Sequence, residues 1–377
     1  MLCPRCLNED QNYFYYGSKG YYCRKCISFK RVLLEEELNV SILNEIRDDA
    51  YEYTLNYPLT DKQKEISDLC LKNIDYNDVL IEAVCGAGKT EIVIETISYY
   101  LKLKKKVCFA IPRRQVVIEV SKRLQEIFKN SKVVAVCQGS TSEIDGDLIV
   151  CTTHQAYRYY KIFDCLILDE PDAFPYKGNE VLKNIVRTSC KGNIIYLTAT
   201  IDNYLKKRIK DKSIVHLKLN KRPHGYDLIV PKVIICSFIM MVINLINFLN
   251  EHEYCLVFVP TIKMCESLYN FLRLFFDLDY CHSKLEEKDL IIDKFKNKKT
   301  RILLSTTILE RGVTIENINV CVFYSDHNVF DLASLIQMSG RVGRSFDYPY
   351  GDCLFLSSSK NENVDKCIDI CKRANYE

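Results

Sequence analysis

No single charge dominates this chain: 52 lysines and arginines against 49 aspartates and glutamates leave a net charge of +3 over 377 residues. That excludes a surface that binds nucleic acid by bulk charge, so any basic patch must be local. The residues after Met1 hold no apolar stretch and run into Cys3-Pro4-Arg5-Cys6. No secretory leader is expected, and the 19 cysteines are expected to be reduced and buried rather than paired as in a secreted framework. Long apolar runs are scarce. Residues 233–249 are nearly all apolar, but Pro231 precedes them, Asn244 and Asn247 interrupt them, and they fall short of the roughly 20 residues a membrane span needs. A buried strand running into a helix is the expectation there. The histidines, His154 and His282 among them, lack metal-ligand spacing and read as loop or core residues.

What is present is globular: 48% hydrophobic and 27% charged residues, over a length sufficient for two core-bearing domains and a small appendage. Two long stretches alternate short aliphatic runs with helical patterns, which predicts parallel sheets with crossover helices. In the first, residues 79–81, 107–111, 133–136, 148–150, 166–168 and 194–197 read as buried strands, and Val116, Val117, Val120, Leu124, Ile127 and Phe128 share a helical face. In the second, residues 256–259, 302–304, 320–324 and 354–356 repeat the plan. Residues 218–225, dense in charge and carrying Pro223 and Gly225, suggest a connector. The expected organisation is an α/β chain with a small module over 1–48, a nucleotide-binding domain over 49–217, a connector over 218–232 and a second α/β domain over 233–377.

The first 48 residues show little aliphatic periodicity before Val32 and cannot build a core unaided. Cys3-x2-Cys6 and Cys23-x2-Cys26, separated by sixteen residues, supply what is missing, because two thiolate pairs at this spacing can meet on one tetrahedral zinc (Zn2+). Around them Arg5, Lys19, Arg24, Lys25, Lys30 and Arg31 interleave with Tyr13, Phe14, Tyr15, Tyr16, Tyr21 and Tyr22. Cations for phosphates and rings for bases suit single-stranded nucleic acid; tyrosines that merely pack over a small sheet would look the same.

Ordered segments carry the chemistry. Gly86-Ala87-Gly88-Lys89-Thr90 follows a strand ending near Val84 and opens a helix carrying Ile92, Val93, Ile97 and Leu101, the context of a phosphate-binding loop. Its amides and helix N-terminus would face the phosphates of ATP, Lys89 would reach the β and γ phosphates, and Thr90 would hold magnesium (Mg2+). Ala83 stands where the generic pattern has its first glycine. Asp169 and Glu170 emerge behind the aliphatic run 165–168, where α/β sheets place ligands; Asp169 is expected to orient magnesium and Glu170 to polarise the attacking water. Gln337-Met338-Ser339-Gly340-Arg341-Val342-Gly343-Arg344 follows the apolar face of Leu332, Leu335 and Ile336, and its arginines suit a finger delivered to a phosphate bound by the other domain. Upstream, Leu59-Thr60-Asp61-Lys62-Gln63 lies at the distance of an adenine-reading element, where Gln63 can either pair with adenine or cap a helix.

In this order the residues resemble superfamily 2 helicases and translocases over about 57–345, with Pro112-Arg113-Arg114, Thr152-Thr153-His154, Thr198-Ala199-Thr200 and residues 305–315 as further matching elements. More narrowly, the four-cysteine module, residues 169–176 and Thr306-Thr307-Ile308-Leu309-Glu310-Arg311-Gly312 look like the ComFA family of late-competence DNA-uptake ATPases from Gram-positive bacteria. That resemblance implies two RecA-like parallel-sheet domains in tandem behind a zinc-ribbon-like module. It implies a cytoplasmic ATPase stimulated by single-stranded DNA, peripheral to the inner face of the membrane, working with a DNA-uptake channel and other competence proteins. Gln337, Arg341 and Arg344 would act with Lys89, Asp169 and Glu170 in hydrolysis. Pro112, Arg113, Arg114, Thr152, Thr153, Ser305, Thr306 and Arg311 would line the nucleic-acid path. Pro171 departs from the family pattern, which has an aliphatic residue there, and removes a backbone donor beside Glu170. A replication-restart or RNA helicase on the same motor, and a scaffold that recruits partners without hydrolysis, are the competing readings.

Overall fold

The computed structural model describes residues 1–35, 38, 43–311 and 315–376. Gly312, Val313 and Thr314 of the element at 305–315 lie outside the described residues, as do parts of the expected end domains (36, 37, 39–42 and 377). The chain divides into two compact units, Met1–Ala83 with Gly88–Leu219, and Val84–Ala87 with Asn220–Glu377.

The first unit opens with an antiparallel hairpin, β1 (Phe14–Gly17) and β2 (Gly20–Cys23). There follow α1 (Asp61–Ile74), β3 (Val79–Ala83), α2 (Lys89–Ile92), α3 (Ile94–Lys102), β4 (Val107–Ile111), α4 (Arg114–Ile127), β5 (Val133–Val136), β6 (Leu148–Thr152), β7 (Phe163–Asp169), α5 (Glu180–Ser189), β8 (Cys190–Thr198), α6 (Asn203–Lys210) and β9 (Val215–Leu219). The last seven strands form one parallel sheet in the order β5-β6-β4-β7-β8-β3-β9. Every residue of β4 and β6 is buried, as strands flanked on both faces by helices must be. The predicted apolar face of α4 is buried from Val116 to Phe128. β9 runs to Leu219, which pairs with Ala83, so two residues counted above with the connector are strand.

The second unit contains β10 (Lys232–Ile235), α7 (Phe238–Glu251), β11 (Cys255–Phe258), α8 (Ile262–Leu272), β12 (Leu278–Cys281), α9 (Lys288–Lys296), β13 (Ile302–Ser305), β14 (Asn319–Phe323), α10 (Leu332–Ser339), β15 (Cys353–Ser357) and α11 (Glu362–Tyr376). Its sheet is also parallel, in the order β10-β15-β14-β11-β13-β12. The apolar run 233–249 does split into strand and helix, but the strand is not buried. β10 occupies a sheet edge with Ile235 49% exposed, and α7 turns Met241, Leu245, Phe248 and Leu249 inward while Ile239 stays 72% exposed. No helix among the described residues is long and apolar enough to cross a membrane. All 19 cysteines are free thiols, and all but Cys236 are buried.

Parallel strands send their C-terminal ends to one edge of a sheet. In the first unit, the strand ends at Ala83, Ile111, Thr152, Asp169 and Thr198 therefore lie along one edge.

Candidate functional site

The glycine loop follows β3 directly. Gly86 and Gly88 take φ of +82° and +76°, the left-handed region open to glycine. The Ala87 amide closes on the Val84 carbonyl at 3.2 Å, and that of Ile92 on Gly88 at 3.2 Å. Lys89 Nζ donates to the Ala83 carbonyl at 3.1 Å, folding the lysine back over the loop, and Thr90 is buried. A Cβ at Gly88 would stand 2.5 Å from Nε2 of Gln63, so this glycine serves close approach as well as φ. Of the two roles the sequence left open for Gln63, the structure shows the helix cap. Its Oε1 accepts from the Thr60 amide at 3.0 Å in a capping box that starts α1, and its Nε2 faces the loop.

β8 lies between β3 and β7, so Thr198 ends the strand separating the glycine loop from Asp169. Asp169 is buried; Glu170 takes φ +54° and its amide donates to the Leu197 carbonyl at 2.9 Å. The Ala173 amide returns to the Glu170 carbonyl at 2.9 Å, closing a turn with Pro171 in its second position. The fixed φ of proline suits that position, and the turn draws its donor from Ala173, so the departure at Pro171 is accommodated locally.

Asp172, buried at 5% exposure, belongs to the run 169–176 but was given no role of its own by the sequence. The Thr198 hydroxyl lies 2.9 Å from its Oδ1, and the Thr200 hydroxyl donates to its Oδ2 at 2.7 Å. This carboxylate ties the acidic turn to the end of the neighbouring strand. Asp172→Ala is expected to destabilise the protein by roughly 2–4 kcal/mol, as the loss of two hydrogen bonds to a buried carboxylate implies. Thermal melting of Asp172→Ala, Thr198→Val and the double variant checks this, because the double should cost less than the sum.

In the second unit Gln337 lies on α10 and is buried. Arg341, 2% exposed, donates through Nε to the Glu310 carbonyl at 3.3 Å. Arg344, half-buried, donates through Nε to the Gly340 carbonyl at 2.6 Å. Arg311 lies beside Glu310, with 3.5 Å between Nε and Oε1, and is buried. The residues expected on the nucleic-acid path divide by exposure. Pro112, Thr152, Thr153 and Ser305 are buried at strand ends, whereas Arg113 and Thr306 are half-buried and Arg114 is exposed, its Nε donating to the Gln138 carbonyl at 2.7 Å.

The four cysteines of the amino-terminal module come together. All their sulfurs lie within 4.8 Å of one another, with Cys3 to Cys26 at 3.7 Å and Cys6 to Cys23 at 3.8 Å. Sulfurs placed about 2.3 Å from a tetrahedral zinc stand about 3.8 Å apart, so the donor set fits zinc in both chemistry and spacing. The module rests on the first unit: Asn184 Nδ2 donates to the Cys6 carbonyl at 2.7 Å, and the Thr188 hydroxyl to that of Arg5 at 3.0 Å. Phe29 stacks on His154, next to Thr152 and Thr153, at 5.9 Å. Burial holds the His154 pKa below its usual value, as suits a packing residue.

The family profile for the res subunit of type III restriction enzymes matches residues 56–203, and that for the helicase conserved C-terminal domain matches 238–346. The sequence is 34% identical to competence protein ComFA of Streptococcus pneumoniae, across 100% of this chain and 91% of that protein. This chain belongs to the ComFA family. Competence protein ComFA of Bacillus subtilis is 30% identical across 96% of this chain and 83% of its own. Among solved structures, that of Saccharomyces cerevisiae Dbp5 bound to RNA and ADP BeF3 aligns with a TM-score of 0.64 over 84% of this chain and 88% of that one. At 18% identity this shows a shared fold, two RecA-like domains.

As a ComFA-family protein with both helicase domains, the chain is a superfamily 2 helicase-type ATPase, and its domains imply ATP and Mg2+. The residues present fit that demand. Backbone amides and a lysine gather at the glycine loop, and a hydroxyl and a carboxylate, oxygen donors suited to magnesium, occupy Thr90 and Asp169.

Proposed function

We propose that this ComFA-family protein is a single-stranded-DNA translocase that hydrolyses ATP to draw transforming DNA into the cell during natural competence. The observation carrying the reading is the convergence of the glycine loop, Thr198 and Asp169-Glu170 at one edge of one parallel sheet, in a chain similar along its length to competence proteins. Gln63 would face adenine; the amides of Gly86, Ala87 and Gly88 with Lys89 would hold the phosphates; Thr90 and Asp169 would hold magnesium. When bound, magnesium neutralises charge on the phosphates. Glu170 orients and deprotonates the attacking water, and Gln337, Arg341 and Arg344 stabilise the charge that spreads over the transferred phosphoryl group.

Thr306, Arg113 and Arg114 grip the DNA backbone without reading sequence, and the buried Pro112, Thr152, Thr153, Ser305 and Arg311 line the path behind them and position them. The zinc ribbon extends the grip. Tyr15 and Tyr16 are 53% and 66% exposed, the Arg24 guanidinium lies 5.8 Å over the Tyr15 ring, and the Lys25 ammonium 5.2 Å over that of Tyr13. Exposed rings beside cations suit stacked bases and phosphates. The protein then works at the inner face of the membrane beside an uptake channel.

ATP hydrolysis measured alone and with single-stranded DNA, duplex DNA or single-stranded RNA tests the reading, with Lys89→Ala as the blank. Strong stimulation by single-stranded DNA alone is expected. A preference for RNA moves the protein to the RNA helicases, and the absence of Lys89-dependent hydrolysis leaves the scaffold.

A further inference from the structure

Arg222 lies between β9 and β10, in the segment the sequence marks only as a connector, yet it is 3% exposed. Within the second unit its hydrogen bonds go to main-chain carbonyls. Nη1 donates to Val342 at 2.8 Å and to Gly343, and Nη2 donates to Gly340 at 3.2 Å. Those carbonyls form the turn that leaves α10 and carries Arg341 and Arg344. The end of a helix leaves carbonyls without intrahelical partners, and a guanidinium fork can collect several of them at once. Arg344 uses the same Gly340 carbonyl through Nε at 2.6 Å, and a ring nitrogen of His224 lies 3.1 Å from the Gly343 carbonyl.

The turn itself is tightly specified. Gly343 takes φ +66°, and a Cβ there would stand 2.5 Å from the Pro349 carbonyl and 3.2 Å from Arg222 Nη1. Burial, then the neighbouring Arg344, lowers the Arg222 pKa to about 10, so it remains a cation at neutral pH. A buried guanidinium held by carbonyls is costly to maintain unless the geometry it imposes is used.

We infer that Arg222 is a positioning residue for ATP hydrolysis: by clamping the carbonyls of Gly340, Val342 and Gly343 it fixes the turn that aims Arg344. The inference rests on the finger role proposed for Arg344. A group that only aims another one loses its effect once that other is removed, which separates aiming from general stabilisation.

The experiment uses the full chain with saturating single-stranded DNA and measures kcat, KM for ATP and melting temperature for Arg222→Met, Arg222→Lys, Arg344→Ala and the double variant Arg222→Met/Arg344→Ala. Arg222→Met is expected to lower kcat by about 10²-fold, the loss typical of a group displaced by about an ångström, with KM little changed. Arg222→Lys, which keeps the charge but not the fork, is expected to recover part of that loss. The double variant is expected to match Arg344→Ala within about twofold. Losses that multiply in the double variant, or an Arg222→Met kcat within about twofold of the unaltered protein, overturn the inference while leaving the finger intact. An Arg344→Ala protein at full rate overturns the finger and the inference together. Should Arg222→Met fail to fold, Arg222→Lys decides alone: a lowered kcat at an unchanged melting temperature supports aiming, and an unchanged kcat overturns it.

Discussion

A Glu170→Gln protein is expected to bind ATP normally and to hydrolyse it about 10² to 10⁴ times more slowly, the range over which a positioned general base contributes. Glutamine keeps the volume and a hydrogen-bonding oxygen but neither accepts a proton at neutral pH nor carries charge. The backbone around Glu170 sets where that side chain points. Its φ of +54° is uncommon outside glycine, and its amide and carbonyl are engaged by Leu197 and Ala173. A conformation of this kind persists only where the surroundings hold it, and such positions cluster at functional sites. Substituting the side chain should leave the turn unchanged, so the loss should fall on kcat with KM preserved. Lys89→Ala should instead raise KM and lower kcat together, since in the proposed function Lys89 would meet the phosphates before and during transfer. Steady-state kinetics of the two variants beside nucleotide-binding measurements check the contrast, and a Glu170→Gln protein at full rate removes Glu170 from the chemistry.

How legible the molecule was in its sequence depended on where each residue sits in a sheet. The interior strands β4, β6, β7, β11 and β14 read directly, because burial on both faces demands continuous aliphatic runs. β9 and β12 did not, and both are edge strands: His216 and Lys218 interrupt the first, Asp279 and Tyr280 the second. The same cause made β10 look buried when it is an edge strand, since its apolar residues continue into α7. The glycine loop and the Asp169-Glu170 pair were legible because each is contiguous in the chain. The carboxylate of Asp172 reaching Thr198 and Thr200 was not, because that contact depends on β7 and β8 being neighbours. Arg222 was invisible for another reason: its partners are carbonyls, which every residue has.

Replacing Cys23 with serine is expected to unfold the amino-terminal ribbon while both parallel sheets stay folded. Among the described residues, only the partly buried Phe14, Phe29 and Leu34 with Val181 of α5 pack against the four cysteines, and the module buries little else beyond Tyr22 and Val32, too little to hold a short hairpin in place. A four-thiolate zinc site supplies apparent folding energy of about 10–16 kcal/mol, far more than that contact area can. Hydrogen bonds with Cys26 and then Cys6 hold the Cys3 thiol well below its usual value, while hydrogen bonds with Cys3 and then Cys6 push the Cys26 thiol upward. Because protons compete with zinc for thiolates, metal should be retained at neutral pH and released as pH falls. Elemental analysis of the intact protein should find about one zinc per chain, and Cys23→Ser should lose it and become open to proteolysis within residues 1–35. The effect should then spread along one route. With the ribbon unfolded, Phe29 leaves His154 and the contacts from Asn184 and Thr188 are lost, so stimulation by single-stranded DNA should fall while Lys89-dependent hydrolysis without DNA persists. A metal-free preparation under reducing conditions whose ribbon resists proteolysis would show that the thiols pack as an ordinary core, and the zinc assignment would be abandoned.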